Sequence, residues 1–327
     1  MGYPLPFKII GMGIAIPSRK VDSSELERQF GLEAGWCLKK QGIESRYWID
    51  GNEDATSLGT KAALSAVSDA GITKDDVDLI ISASSTVDSI IPGQANLFKN
   101  SLGINSNVNA ITFNAGCLNT IRVLDFAANY LYSGMYKNIL IISTTVSSKG
   151  LNIEDDPEEV SMVADGAAAI VVSLPEDGEK SCILASDSAT YAVGVSVQSM
   201  ASKSESVILS KETTKDDLSY IVDSKEMQSA GAKYNFKFLK GLYPIKNNTL
   251  DWLIPNQSSK LAKDMMKLMV KEDKILSVIK EYGNMGPVGY FFALYLAREE
   301  QKLKRGDIVM MSGIGAGISL AGVVLRY

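Results

Sequence analysis

Three residues in this sequence could do chemistry together: Cys117, Asn256 and Asn284. Each stands where an apolar run gives way to small or polar residues. Cys117 follows the strand-like VNAITF and leads into LNTIRVLDFAANYLYSG, whose apolar spacing predicts a helix. Amides at a helix N-terminus stabilise an anion. They therefore lower a thiol from its usual pKa of about 8.5 and make a nucleophile without a neighbouring base. A single cysteine is more often an inert core residue, but here Ala115 and Gly116 leave room for a substrate to approach. Asn256, in DWLIPNQSS, and Asn284, in YGNM, each carry an NH₂ that can donate to a developing oxyanion. The same amides could equally cap their own turns.

The glycine-rich Ser312-Gly313-Ile314-Gly315-Ala316-Gly317 offers backbone N–H groups to an oxyanion, although a tight hairpin explains the glycines as well. It is not a phosphate loop, because no Lys-Ser/Thr follows. Gly11-Met12-Gly13 is weaker still as a dinucleotide signal, since Pro17 falls where a helix would be needed.

What is missing narrows the chemistry further. The 327 residues contain no histidine. Ser-His-Asp and Cys-His triads, His-ligated metals and imidazole bases are all excluded. Cys37, Cys117 and Cys182 are widely spaced, which favours neither a disulfide framework nor a zinc site. A net charge of −5 argues against general nucleic-acid binding. The run FKIIGMGIAIPS is too short to span a bilayer, and its Gly13 and Pro17 suit a strand and turn better than a signal peptide. MGYPLP lacks the Ser or Thr that myristoylation needs at position 6. The expectation is a cytoplasmic protein with no membrane segment and no resident metal or cofactor.

The elements that must position the three residues repeat. DLIISASS, from Asp78, is followed by a strand, the Cys117 helix, ILIIST and AAIVVSL. DWLIPNQSS, from Asp251, is followed by the YGNM junction, a second apolar helix, DIVMMSG and SLAGVVL. Asp78 to Asp251 is 173 residues, and Asn138 to Asp307 is 169. That near-constant offset predicts two α/β half-domains, residues 1–176 and 177–327, with a seam at Pro175–Lys180. Pseudo-two-fold packing would bring the junctions NAGC and YGNM together, with Asn256 arriving from a neighbouring strand end. Leu58, Ala62, Ala66 and Ala70 predict a further helix that stops at Gly71. Ser258–Lys271 reads as an amphipathic helix, with Leu261, Met265, Leu268 and Met269 on one side. Its basic stripe of Lys260, Lys263, Lys267 and Lys271 is either a solvated face or a dock for an acidic partner.

GWCLKKQGIESRYW, the Cys117 region, ADGAAA, DWLIPNQ, YGN and the closing GIGAGISLAGVVLRY resemble, in order and spacing, the ketoacyl-acyl-carrier-protein synthase III group of the thiolase superfamily. The resemblance runs from the first strand to the last. It implies a five-layered αβαβα fold, usually dimeric, with a Cys-His-Asn site that condenses an acyl thioester with a malonyl-type thioester. Carried over, Cys117 is the acylated nucleophile, Asn284 the family asparagine, and the amides of Cys117 and Ala316 the oxyanion hole, with Gly315 and Gly317 beside the substrate. Trp36 matches the tryptophan that packs on a CoA adenine. Ile90 or Ile91 matches the dimer partner's loop that shapes the acyl pocket. Lys260, Lys263 and Lys267 would meet an acyl carrier protein. Substrates would be thioesters of carrier phosphopantetheine or CoA.

The sequence departs from that pattern at Asn256, which stands where the family has its histidine. The loop Asn152–Glu159 is acidic where CoA-using relatives carry an arginine, which favours a carrier-protein donor. Three readings follow. The first is a decarboxylative condensing enzyme, as a homodimer or beside a partner ketosynthase. The second is an acyltransferase passing the Cys117-bound group to an amine, hydroxyl or thiol. The third is a non-catalytic partner subunit, against which the retained Cys117 argues. A non-decarboxylative route is disfavoured, because ISASSTVDS offers only Asp88 as a base.

Overall fold

The computed structural model describes residues 4–327 except 151–156, 195–197, 201–219, 223–230, 243–249 and 259. Two five-stranded mixed sheets form its frame. In the first, the spatial order is Lys8–Ala15, Gly166–Ser173, Ile139–Thr145, Leu79–Ser82 and Asn109–Thr112, the last three parallel. The second runs Leu5–Pro6, Cys182–Gly194, Gly317–Arg326, Ile308–Gly315 and Trp252–Ile254, with only the last pair parallel. Leu5–Pro6 thus precedes the first sheet in the chain but lies in the second.

Side-chain alternation along the strands separates the layers. Leu79, Ile81, Ile139 and Ile141 point inward to the helices Asn119–Tyr132 and Val288–Glu299, whereas Ile80, Leu140 and Ile142 point outward to the helix Ala55–Asp69. In the second sheet Ile254, Val309, Met311 and Val323 face the same two helices. Leu253, Met310 and Val324 face Phe236–Leu242 and the short helix Lys260–Met266. Helices, sheet, helices, sheet and helices therefore stack as five layers. The two central helices are the ones that lead away from Cys117 and Asn284.

The helix expected from Leu58, Ala62, Ala66 and Ala70 ends at Asp69, and Gly71 beyond it has φ +68°. A Cβ at Gly11 would fall 2.2 Å from Ala66 O, and one at Gly13 2.4 Å from Ala62 O. Gly11-Met12-Gly13 is thus a close-packing stripe under a helix of small residues.

The internal repeat has a shared fastening. Asp78 N–H donates to Asn138 O at 2.9 Å, and its Oδ2 accepts Asn138 N–H at 3.0 Å. Asp251 makes the same pair with Ile308, at 3.0 and 2.9 Å. Each aspartate thereby fixes the register between two parallel strands.

Candidate active site

The strand Asn109–Thr112 delivers the chain to Cys117 through Phe113, whose N–H donates to Ser82 O at 2.8 Å. Gly116 adopts φ +58°, and a Cβ there would meet nothing within 4 Å, so the approach is open on that side. Cys117 itself lies in a 3₁₀ turn, Gly116–Leu118, and the α-helix begins at Asn119. Asn119 is fully buried; its Oδ1 accepts the Ala115 N–H, and its Nδ2 donates to Ser84 O at 2.8 Å. This latch holds both ends of the cysteine loop.

Burial pushes the Cys117 thiol above its ordinary value, and its own backbone N–H only partly opposes that. The lowered thiol expected from a helix N-terminus is therefore corrected. The residue sits one turn ahead of the regular helix, and enclosure of the anion outweighs the amide.

From the second half, Asn256 follows the strand Trp252–Ile254, and its Nδ2 donates to Ile314 O at 3.1 Å. Gln257, next to it, is buried with all its polar atoms engaged. Its Oε1 accepts from Val278 N–H at 3.0 Å and Ser277 Oγ at 3.1 Å, and its Nε2 donates to Pro255 O and Leu276 O. A Cβ at Gly289 would lie 2.8 Å from Gln257 Cγ, so this residue packs directly on the start of the second central helix.

Asn284 is held through its backbone, donating to Met162 O at 3.0 Å and accepting from Ala164 N–H at 2.9 Å. Its Oδ1 accepts Gly286 N–H at 2.9 Å, which leaves Nδ2 as the donating face. The turn-capping role is therefore real, and it also orients the amide. Thr120 Oγ1 donates to Pro287 O and Thr145 Oγ1 to Met285 O, each at 2.8 Å, tying this loop to the cysteine helix and to the first sheet.

The glycine-rich segment is a tight hairpin between Ile308–Gly315 and Gly317–Arg326, with Ala316 exposed at its tip. Gly317 has φ +73°. A Cβ on Gly313 or Gly315 would lie 3.0 or 3.1 Å from Leu118, the residue after Cys117. One strand end thus touches the cysteine turn and accepts a hydrogen bond from Asn256. Cys117, Asn256, Ala316, Gly315 and Gly317 gather around it, and Thr120 ties the Asn284 loop to the same helix. Sequence reasoning missed Asn119, Gln257 and Tyr290, whose hydroxyl donates to Ser312 O at 3.2 Å. Only the polarity of Asn119 and Gln257 within apolar surroundings could have signalled them.

The peripheral residues fare differently. Trp36 is half-buried at the start of the helix Trp36–Lys40. Ile90 and Ile91 are 59% and 89% exposed, so within one chain they stand largely in solvent. The expected helix over 258–271 is shorter, Lys260–Met266, and Leu268 is 77% exposed rather than part of an apolar face. The basic stripe is also corrected in part. Lys263 pairs with Glu272 at 3.4 Å, and Lys267 pairs with Asp264 at 2.8 Å and Glu272 at 3.0 Å. Among the described residues Lys260 makes no ion pair, and its backbone N–H donates to Gln41 O at 2.9 Å beside the Trp36 helix. Asp88 caps the helix Ala55–Asp69 by accepting from Thr56 N–H at 2.7 Å and Thr56 Oγ1 at 2.6 Å. It is committed there rather than free as a base. Residues 152–156 of the acidic loop lie outside the described residues. No helix among the described residues is long and apolar enough to cross a membrane.

The chain is similar to known proteins along nearly its whole length. The family model "3-Oxoacyl-[acyl-carrier-protein (ACP)] synthase III" matches residues 111–192, and "3-Oxoacyl-[acyl-carrier-protein (ACP)] synthase III C terminal" matches residues 243–327. The beta-ketoacyl-[acyl-carrier-protein] synthase III of Synechocystis sp. is 30% identical over 328 residues, covering 98% of both chains. That of Aquifex aeolicus is 30% identical over 326 residues, covering 98% of this chain and 99% of its own. The crystal structure of 3-oxoacyl-[acyl-carrier-protein] synthase III from Aquifex aeolicus superposes with a TM-score of 0.83 at 27% identity, over 98% of this chain and all of that one.

Proposed function

Because this chain belongs to the 3-oxoacyl-[acyl-carrier-protein] synthase III family, an acyltransferase class with the thiolase-type fold, we propose that it forms an acyl-Cys117 intermediate and condenses it with a malonyl-type thioester. The observation that carries this reading is the shared strand end, with Leu118 packed against Gly313 and Gly315 and Asn256 bonded to Ile314 O. On this reading the nucleophile and the amide donors reach one place from opposite halves.

In the first step Cys117 Sγ attacks the donor thioester carbonyl. The bond from that carbonyl to the donor sulfur breaks, and the thiol proton leaves with the donor. The amides of Cys117 and Ala316 take the oxyanion. In the second step the malonyl thioester loses CO₂, and Asn284 and Asn256 donate to the enolate oxygen. The enolate carbon attacks the acyl carbonyl, and Cys117 departs as thiolate and recovers a proton from water. Burial holds the resting thiol above its ordinary value, so Cys117 enters the first step protonated.

An acyl carrier protein is the donor this reading favours, docking at Lys260 beside the Trp36 helix. A homodimer would cover the edge strand Asn109–Thr112 and the exposed Ile111 and Phe126, and would bring Ile90 or Ile91 to the partner's acyl pocket. A second reading is transfer of the acyl group to a non-malonyl acceptor. It is favoured by Asn256, whose Nδ2 already spends one hydrogen on Ile314 O.

Intact-protein mass spectrometry with acyl-carrier proteins and acyl-CoAs tests both. A Cys117-dependent adduct discharged by malonyl-carrier protein, with CO₂ and a β-ketoacyl product, supports condensation. An adduct that malonyl-carrier protein leaves untouched supports the second reading. No adduct from any donor rejects both.

A further inference from the structure

The strand Ile308–Gly315 extends beyond its parallel partner. Asp251 N–H donates to Ile308 O at 3.0 Å, and the register pairs Leu253 with Met310. Continued by four more residues, that register would place residue 255 as the donor to Ser312 O and residue 257 as the donor to Ile314 O. Residue 255 is a proline and has no N–H to give. The next carbonyls on this edge are nevertheless occupied, and by side chains. Tyr290 Oη donates to Ser312 O at 3.2 Å, and Asn256 Nδ2 donates to Ile314 O at 3.1 Å.

Tyr290 lies in the first turn of the helix Val288–Glu299 and is fully buried. A Cβ on Gly313 would fall 2.1 Å from its hydroxyl oxygen and 3.0 Å from Leu118 Cδ2. The phenol is therefore wedged between the strand end and the turn that carries Cys117.

We propose that Tyr290 is the positioning residue of the oxyanion site: with Asn256 it completes in side-chain form the ladder that Pro255 interrupts, and so holds the Gly313–Ala316 strand end against the Cys117 turn. This rests on the functional reading above. Oxyanion donors act only when fixed in advance, and a misplacement of about 1 Å costs on the order of 100-fold in rate. Two side-chain hydrogen bonds at alternate carbonyls supply that fixation where backbone pairing stops. The phenol stays a donor throughout, because burial, and secondarily a charge on Cys117, push it well above its ordinary value.

The test compares two reactions of one thiol. Alkylation of Cys117 by iodoacetamide needs no oxyanion donor, whereas acylation by an acyl thioester does. Tyr290→Phe is expected to leave the alkylation rate and its pH profile within about twofold of wild type. It should slow acylation about 10- to 100-fold at unchanged KM for the donor. Unchanged acylation overturns the proposal. A parallel fall in both reactions also overturns it, since the hydroxyl would then act on the thiol or on packing in general.

Gly313→Ala approaches the same contact from the other side and keeps the proposal testable if Tyr290→Phe folds poorly. It should show the same split between alkylation and acylation, and the double variant should be less impaired than Gly313→Ala alone. Additive losses would count against the wedge. If wild type accepts no acyl group from any donor, the functional reading falls first and this one with it; normal wild-type acylation with an unaffected variant removes only this one.

Discussion

In the first half a fifth strand, Asn109–Thr112, runs beside Leu79–Ser82 and carries the chain to Cys117. In the second half the corresponding place beside Trp252–Ile254 holds a single bridge, Leu253 with Ile275, before the chain reaches Asn284. The paired fastenings at Asp78 and Asp251 are otherwise alike to a tenth of an ångström. The two sheets thus share one kind of fastening and differ at the ends. The half with the extra strand and the buried Asn119 latch carries Cys117, the nucleophile proposed above. The half without that strand contributes amides held by an Asx turn and by a neighbouring backbone carbonyl. A nucleophile must be held from both sides, whereas a donor needs only its direction fixed.

The comparison can be broken most severely at the nucleophile. Cys117→Ala should abolish the acyl adduct altogether. Asn284→Ala should leave the adduct intact and slow its discharge by malonyl-carrier protein about 10²–10³-fold, as loss of one oxyanion donor does. Equal losses of acylation in both variants would contradict the division between halves. Next in size is Asn256→His. An imidazole can keep the Ile314 bond through one nitrogen and, once protonated, donate the other to substrate, so at about pH 6 malonyl decarboxylation should rise about 10- to 100-fold with acylation unchanged. A flat response would show that decarboxylation does not depend on this position.

Asn119→Ala sharpens the comparison in stability. It strands the buried Ser84 carbonyl and the Ala115 N–H, and should cost about 2–4 kcal/mol in denaturant unfolding. The equivalent change at Asn284, whose amide accepts only from the adjacent Gly286, should cost less. The smallest effect belongs to the surface. Lys260→Glu should raise KM for a carrier-protein donor a few-fold, and Lys267→Glu less, because Lys267 already faces Asp264 and Glu272. Equal effects would restore the whole stripe as a dock.

The repeat was legible because it is written in local pattern: buried strands, aspartates at matching offsets, and a small residue every fourth position under Gly11 and Gly13. Cys117, Asn256 and Asn284 stand out as candidates in the sequence because each ends an apolar strand or precedes an apolar helix. What escaped depends on partners far along the chain. Tyr290 reads as one more apolar position in VGYFFAL until Ser312 and Gly313 are seen against it. The lysines of 260–267 read as one stripe until Glu272 folds back on two of them. The thiol reads as activated by its helix until enclosure is counted. Periodicity reports which face is buried, but not what it is buried against.

The bond from Asn256 to Ile314 has a consequence for how this site meets acidity. A side-chain amide has two N–H hydrogens at every physiological pH, so it can anchor the strand with one and serve a substrate with the other. An imidazole anchored through one nitrogen can donate from the second only when protonated, and so changes role across about pH 6–7. With no histidine anywhere in the chain, no such switch exists. Discharge of a pre-formed acyl adduct by malonyl-carrier protein, the step the amides assist, should therefore run level from roughly pH 5 to pH 8. The same profile measured on Asn256→His should bend within that range.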